Sequence, residues 1–546
     1  MYILLGNALL LVILPTCWLV HKIKARRSPV RYLPGPDSAH WFWGHELTIN
    51  QSSYEEAYTE WMRSYGLTYK IKGALFHPDI IVTGDHDILA DIFGKGVYSY
   101  MKPIIFRRFV ERLVGRGLVW AEGSVHKRQR QELAPFFTTR ATRDTFNTIN
   151  ACALKGAENL ELHITKSLVN PKQGTVDTLE WTSSITLDII GRFAFDYDFQ
   201  SGQSPAAQVL KDSWKKQTKA GLHWTALFGQ VTTRAFPFIT DILFPFLGAQ
   251  LAVRKKLREI SQSIIDGDVG EGKEKDVLTT LVRLLREGEI ISTQDELLDH
   301  MCTIVLAGQE TASGSLGFAL HLLAKNPKYQ TRLREEITQL GREPTYDDLT
   351  SGMPWLDAVM KESFRRRPLV PHLERVTTKD CLLKLRVPVK ASDGTQITEI
   401  PIKAGQVIHI PTIALNHAKS VWGEDADEFK PERWLDPTRL EHVSNNFGWN
   451  GMLVFSDGPR LCIGYRLAVL SFKVSTLMIL GRMQYLSVIQ FETILATYIR
   501  KFEFHDTGAI INGRFSGTMQ SYVANEEDKG TQLPLSISLV DELRSR

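Results

Sequence analysis

The stretch from Phe455 to Gly464 gathers the residue types that can do chemistry with a soft metal. It reads Phe455-Ser456-Asp457-Gly458-Pro459-Arg460-Leu461-Cys462-Ile463-Gly464. A thiolate is the nucleophile and soft metal ligand of proteins, and backbone amides and a following helix N-terminus stabilise it. The apolar run that begins at Tyr465 supplies such a helix. The loop could hold one sulfur against a haem iron, with Gly458 and Gly464 letting the backbone approach a flat macrocycle. The thiolate would push electron density onto the iron and favour O–O cleavage. A lone cysteine is more often a small buried hydrophobe. An aromatic residue, two glycines and an arginine in the same short loop argue for the ligand here.

A second constellation is Ala307-Gly308-Gln309-Glu310-Thr311. It lies inside a long apolar-periodic segment, Asp295 to Leu323, which reads as one helix ending before Asn326-Pro327. Gly308 permits close approach of a ligand, and Thr311 can bend the helix through its own backbone. A carboxylate beside a hydroxyl can pass protons one at a time, as the cleavage of dioxygen requires. Elsewhere, Glu362 and Arg365 are three apart on a helix. His126 and Arg130 share a helix face within His126-Lys127-Arg128-Gln129-Arg130. Taken alone, these pairs are ordinary solvated or ion-paired helix residues.

Together they resemble the cytochrome P450 superfamily. Phe455, Gly458, Arg460, Cys462 and Gly464 match its haem loop F-x-x-G-x-R-x-C-x-G. Ala307 to Thr311 matches its oxygen-activation motif [AG]-G-x-[DE]-T. Glu362 and Arg365 match E-x-x-R, which the family pairs with an arginine of P-E-R-[FW], here Arg433 in Pro431-Glu432-Arg433-Trp434. The motifs occur in the family's order.

The resemblance implies a mainly α fold with small β-sheets, the haem (haem b) lying between the long central helix and the cysteine-loop helix. It implies that Cys462 is the iron ligand, with Arg460, Phe455 and Gly308 beside the cofactor. Arg130 and His126 fall where the family has W-x-x-x-R, and Arg375 falls where another arginine commonly meets a haem propionate. His126 replaces the usual tryptophan but can still donate from a ring nitrogen. Thr311 and Glu310 take the catalytic roles of orienting and feeding the proton network. Glu362, Arg365 and Arg433 form a structural charge cluster.

The elements that must position these residues are legible in outline. Leu67 to Lys72 and Ile80 to Thr83 read as strands of a small sheet, and Cys381 to Val387 and Glu399 to Ile413 as its second part. From Glu132 to Leu320 the pattern is mostly helical. The chain has 546 residues, 43% hydrophobic, which is ample for a large core. A formal net charge of +4 gives no argument for a nucleic-acid partner. Five scattered cysteines without C-x-x-C pairing indicate neither a disulfide framework nor a zinc site.

Tyr2 to Val20 is almost wholly apolar, with basic residues following it at Lys22, Lys24, Arg26 and Arg27. A cleaved signal peptide would carry its charges first, so 1–20 reads as an uncleaved transmembrane anchor, with 21–36 a basic stop and proline hinge. The positive-inside rule then leaves the catalytic domain, 37–546, cytosolic on the endoplasmic reticulum membrane. The broken apolar stretch from Leu227 to Leu251 is either core or a face that dips into the bilayer.

One segment departs from the family. Its helix after the cysteine is uninterrupted, whereas here Phe472 to Gln490 has no counterpart, and joining Ser471 to Phe491 would restore the expected length. The segment reads as an insertion or a translated intron.

The function implied is insertion of one oxygen atom from O2 into a lipophilic small molecule. The sequence style resembles fungal members, many of which decorate secondary metabolites, often terpenoids. Electrons would come from NADPH through a separate cytochrome P450 reductase, with cytochrome b5 as a further candidate partner, because no nucleotide loop is present. Arg128 and Arg130 offer a basic surface for such a partner. The alternatives are a family member that rearranges or dehydrates its substrate without reductase, and a haem protein inactivated by the insertion.

Overall fold

The computed structural model describes residues 28–51, 54–75, 77–167, 173–235, 248–267, 276–340, 342, 344–443, 447–480 and 500–541. In chain order, the elements that matter below begin with helix α1 (Tyr54–Tyr65), strands β1 (Thr68–Ile71), β2 (Ile80–Thr83) and β3 (Tyr100–Met101). Helices α2 (Ile104–Val114), α3 (Gly123–Leu133) and α4 (Phe146–Ser167) follow, then strand β4 (Gln173–Asp177). Next come α5 (Thr178–Phe195), α6 (Pro205–Leu222), α7 (Trp224–Ala235), α8 (Gly248–Asp266), α9 (Gln294–Lys325) and α10 (Pro354–Arg366). Strands β5 (Leu373–Thr377), β6 (Cys381–Lys390), β7 (Gln396–Ile402) and β8 (Val407–Ile410) precede helix α11 (Tyr465–Leu480). The last strands are β9 (Arg500–Asp506), β10 (Ile511–Ser516), β11 (Thr518–Val523) and β12 (Pro534–Asp541).

Helix α9 is the axis of the molecule. A capping box starts it, in which the Thr293 hydroxyl accepts from the Glu296 amide and the Glu296 carboxylate accepts from the Thr293 amide. Asn326 caps its end, and Pro327 opens the next helix. Most of its residues are buried, because α5, α8 and α11 cover it on several sides. Two devices fix its position. Asp299 accepts from Arg254 at 2.8 Å, from Arg258 at 2.7 Å and from the Arg116 amide at 2.8 Å, so that α8 and the end of α2 are tied to it. At its centre, Gln309 Nε2 donates to Ser183 at 2.6 Å and Thr182 pairs with Ser313 at 2.9 Å, both across to α5.

The sheets are small. The largest has the order β1-β2-β8-β5-β3, with β2 and β8 parallel and the other pairs antiparallel. Cys381 to Val387 does not join it. That segment forms a separate hairpin, β6 with β7, and within the second expected segment only β8 pairs with β2 and β5. Strand β4 interrupts the helical region and pairs with β12, which also pairs with β9. The proline hinge is pinned, because the Lys70 amide donates to Pro34 O at 2.9 Å. A side chain at Gly35 would strike Lys70 O.

The anchor at 1–20 and its basic stop lie outside the described residues. Among those described, no helix is long and apolar enough to cross a membrane. Helix α11 does not break after Ser471. It runs on to Leu480 with Phe472, Val474 and Leu477 buried, and Lys473 donates to Asp357 at 2.7 Å and to Leu349 O at 2.8 Å. The segment from Phe472 therefore begins by lengthening the helix, while residues 481–499 lie outside the described residues.

Candidate active site

A cavity of about 1430 Å³ lies between α9 and the loop that carries Cys462. Cys462, Ile463 and Gly464 line one side, and Ala307, Gly308, Thr311 and Ala312 of α9 also reach it. The cysteine loop is held by its backbone. Cys462 N donates to Phe455 O at 2.7 Å, and Asp457 closes the turn by accepting from the Gly458 amide at 2.7 Å. Gly458 has φ +60°, and a Cβ there would strike Phe93 O, so this glycine is fixed by the turn and by its neighbour. Gly464 is different. An added Cβ would meet nothing nearer than Phe137 at 3.7 Å, so the protein leaves room above it. Phe455 packs edge-on against Phe364 and Trp449.

Burial pushes the Cys462 thiol up, and the Gly464 amide and the Arg130 charge pull it back. Arg130 Nη1 donates to Leu461 O at 2.7 Å, one residue from the sulfur, so this arginine braces the loop as well as lining the cavity. His126 also lines the cavity, with its Nδ1 3.2 Å from the Tyr98 hydroxyl. Burial and then the neighbouring cations lower its pKa to about 4, so it is a neutral donor at physiological pH. Arg460 is held by Glu122 and by the carbonyls of Val97 and Tyr100. Arg375 donates to Glu374 O at 2.8 Å and is buried near Arg460 and Glu122.

Four cations, Lys102, Arg130, Arg375 and Arg460, therefore line this rim with one carboxylate, Glu122, among them. Burial lowers the Lys102 pKa to about 7 in spite of Glu122. Buried cations in such excess call for anionic partners. A sulfur facing the cavity, an open space above Gly464 and a cationic rim fit a haem, whose iron Cys462 would hold and whose carboxylates the rim cations would receive. Sequence reasoning missed Lys102 and Glu122, which carry no motif.

Glu362, Arg365 and Arg433 come together with almost no solvent exposure. Arg365 donates to Glu362 from Nε at 2.9 Å and from Nη2 at 2.8 Å, and also to the carbonyls of Asn416, Ala426 and Glu428. Arg433 Nε stands 3.5 Å from Glu362, while its Nη1 meets Asp425 at 2.9 Å. Trp434 Nε1 donates to Glu362 at 2.9 Å. Asp425 is the member that no motif signals.

Three expectations gain detail from the fold. Gly308 lines the cavity, and an added Cβ would also meet the Ile190 side chain (Cδ1) at 2.7 Å, so α5 packs closely against it as well. Arg128 is not a free docking cation, because it pairs with Glu296 at 2.7 Å and donates to Ser292 at 2.8 Å. Glu310 and Thr311 are adjacent in sequence but face different ways. Thr311 lines the cavity and donates to Ala307 O at 2.7 Å. Glu310 turns to β11, where it accepts from Thr518 and from Gln520 at 2.8 Å. Burial raises its pKa to about 7, against the two hydrogen bonds.

The sign of this shift gives a test. A raised carboxyl pKa means that the folded state holds the proton while the unfolded chain releases it, so stability falls as pH rises from about 4.5 to 7. The shift corresponds to about 3 kcal/mol at most. Glu310→Gln should remove that dependence and be the more stable protein at pH 8, read by urea denaturation across the range.

The family assignment follows from this geometry and from comparison. The chain matches the cytochrome P450 family over residues 33–495, and it belongs to that family. It is an enzyme of the monooxygenase class, as its relatives are named. It is 31% identical over 476 residues to cytochrome P450 monooxygenase claQ of Ampulloclitocybe clavipes, covering 84% of this chain and 87% of that protein. Cytochrome P450 monooxygenase 205 of Postia placenta is 28% identical, covering 95% of this chain and 94% of its own. A ganoderic acid synthetase of Ganoderma lucidum is 29% identical, covering 84% and 88% respectively. The family brings haem as its cofactor.

Proposed function

We propose that this enzyme inserts one oxygen atom from O2 into a lipophilic small molecule of fungal secondary metabolism, terpenoids being the leading class. NADPH supplies the electrons through a separate reductase, and the chain is tethered at the endoplasmic reticulum. The observation that carries the reading is that Cys462 and Thr311 line one cavity whose remaining walls are mainly apolar, among them Ile104, Phe109, Ile304, Leu369 and Val370. Bound haem would supply the iron at which dioxygen is split, one atom going to substrate and the other to water.

The chain's own residues have three tasks. Cys462 presents its sulfur from a loop whose Cys462 amide donates to the Phe455 carbonyl and whose Leu461 carbonyl accepts from Arg130. Thr311 places a hydroxyl at the cavity wall, where it can hold a proton for transfer. Glu310, whose pKa lies near neutrality, can store and release that proton after turning from Thr518 and Gln520. The apolar walls exclude water and favour a lipophilic ligand. The tether has further support on the outer surface. Trp41 is 88% exposed and Phe228 43%, and they flank Phe42 and Trp43 close to the hinge, an apolar patch suited to a bilayer.

Thr311→Ala is the test of the proton role. Proton delivery by a positioned group contributes roughly 10²–10⁴-fold, so product formed per NADPH consumed should fall by that order while ligand affinity is kept. Unchanged product yield would remove Thr311 from the scheme. Substrate turnover without NADPH consumption in a reductase-coupled assay would favour the reductase-independent alternative.

A further inference from the structure

The cavity has one polar end that the oxygen chemistry does not use. Arg234 on α7, His372 beside β5, Glu374 on β5 and His77 line it. Glu374 and His409 are direct cross-strand partners on β5 and β8. Strand alternation sends Arg375 to the cationic rim and Glu374 the other way. Behind Glu374, His409 is 4% exposed, and its Nδ1 lies 2.9 Å from the Tyr58 hydroxyl. Its Nε2 makes no hydrogen bond among the described residues and stands 3.5 Å from Glu374 Oε1.

The hydrogen bonds at this end are unevenly shared. Arg234 Nη1 donates to Glu46 Oε1 at 2.6 Å, and the Ala74 amide donates to the same oxygen at 3.2 Å. Glu46 is thereby satisfied. Glu374 Oε1 receives Arg234 Nη2 at 3.4 Å and has His409 Nε2 3.5 Å away, while its second oxygen has no donor among the described residues. Two carboxylates thus share one guanidinium. Burial lowers His372 to about 3 and His77 to about 4, so neither of these two adds a positive charge. The Arg234 charge and the His409 contact hold Glu374 well below the usual carboxylate range in spite of burial, so it is ionised.

An ionised carboxylate facing an apolar cavity with unfilled acceptor sites needs a donor. The adjacent Arg234 disfavours a second cation, which selects a neutral donor over an ammonium. It does not select an anion, because Glu46 already engages it. We propose that Glu374 receives a hydroxyl group of the substrate, so that the enzyme acts on lipophilic molecules that already carry an alcohol. A reaction that installs the alcohol must then supply the substrate. The inference rests on reading the cavity as a monooxygenase pocket.

The test is calorimetric titration of the full-length holoenzyme with three ligands of one chain length: octan-1-ol, 1-methoxyoctane and octanoate. The alcohol donates, the ether only accepts, and the acid is an anion. Wild type should bind the alcohol about tenfold more tightly than either of the others. In Glu374→Gln, which keeps the side-chain volume, the gap between alcohol and ether should close to about twofold. Equal affinity for alcohol and ether in the wild type, tighter binding of octanoate, or an unchanged gap in the variant would each overturn the proposal. These affinities need no turnover. Failure of the monooxygenase reading would show separately, as loss of the thiolate-shifted Soret band of the reduced, carbon-monoxide-bound protein.

Discussion

Glu362→Ala is expected to destabilise the fold by about 3–5 kcal/mol, the usual result of deleting one member of a buried ion cluster. Glu362 is fully buried and accepts from Arg365 twice, from the Lys430 amide at 2.9 Å and from Trp434 Nε1 at 2.9 Å. Burial opposes its ionisation, yet Arg365 and Arg433 keep its carboxyl below its ordinary range. The ion is therefore stabilising above that range, and its contribution is lost as pH falls through the lowered folded value. Alanine would leave the Arg365 guanidinium buried with carbonyl partners alone. A loss of that size is a large part of the 5–15 kcal/mol typical of a domain, and the purified variant should contain little cofactor. Urea denaturation and haem content measure both. Arg439→Ala is the control. This half-exposed residue also touches Asp425, and its loss should change stability by no more than about 1 kcal/mol. A Glu362→Ala protein as stable as that control would refute the structural role of the cluster.

Cys462→Ala should do the opposite: keep the fold and lose the chemistry. The loop is fixed by groups that alanine leaves intact, namely the residue's own amide to Phe455 O, Arg130 to Leu461 O, and Arg460 to Glu122. The sulfur faces the cavity, so its removal opens little new space in the core. The variant's far-ultraviolet circular dichroism should match the wild type, and its denaturation midpoint should match that of the haem-free wild type. Its oxidation of substrate with NADPH and reductase should fall to background, because no other cysteine among the described residues lines the cavity. Retained turnover would mean that the sulfur is not the ligand.

The contrast between these variants reflects what was legible in the sequence. Features that depend on local spacing could be read from it: the Cys462 loop, the Glu362–Arg365 pair and the central helix with its end before Asn326-Pro327. What escaped depends on long-range placement. Lys102, Glu122 and Asp425 belong to no pattern, and only the fold brings them to the rim or to the cluster. The direction in which Glu310 points was equally hidden. Adjacent residues on a helix point about 100° apart, and only the position of β11 shows that Glu310 has partners there. Gly308 shows the same limit. Its position in a motif suggested room for a ligand, and the nearness of the Ile190 side chain is a second constraint that only the fold shows. The strand Cys381–Lys390 was found as a strand, but its partner was not, because pairing within a hairpin and pairing into a sheet leave the same alternating signal.

The account centres on a cysteine sulfur bound to haem iron. The most direct measurement is the absorption spectrum of the reduced wild-type protein under carbon monoxide. A Soret band shifted to the long wavelength characteristic of thiolate ligation is the expected result. An unshifted band, or a protein that takes up no haem, would contradict the account at its root.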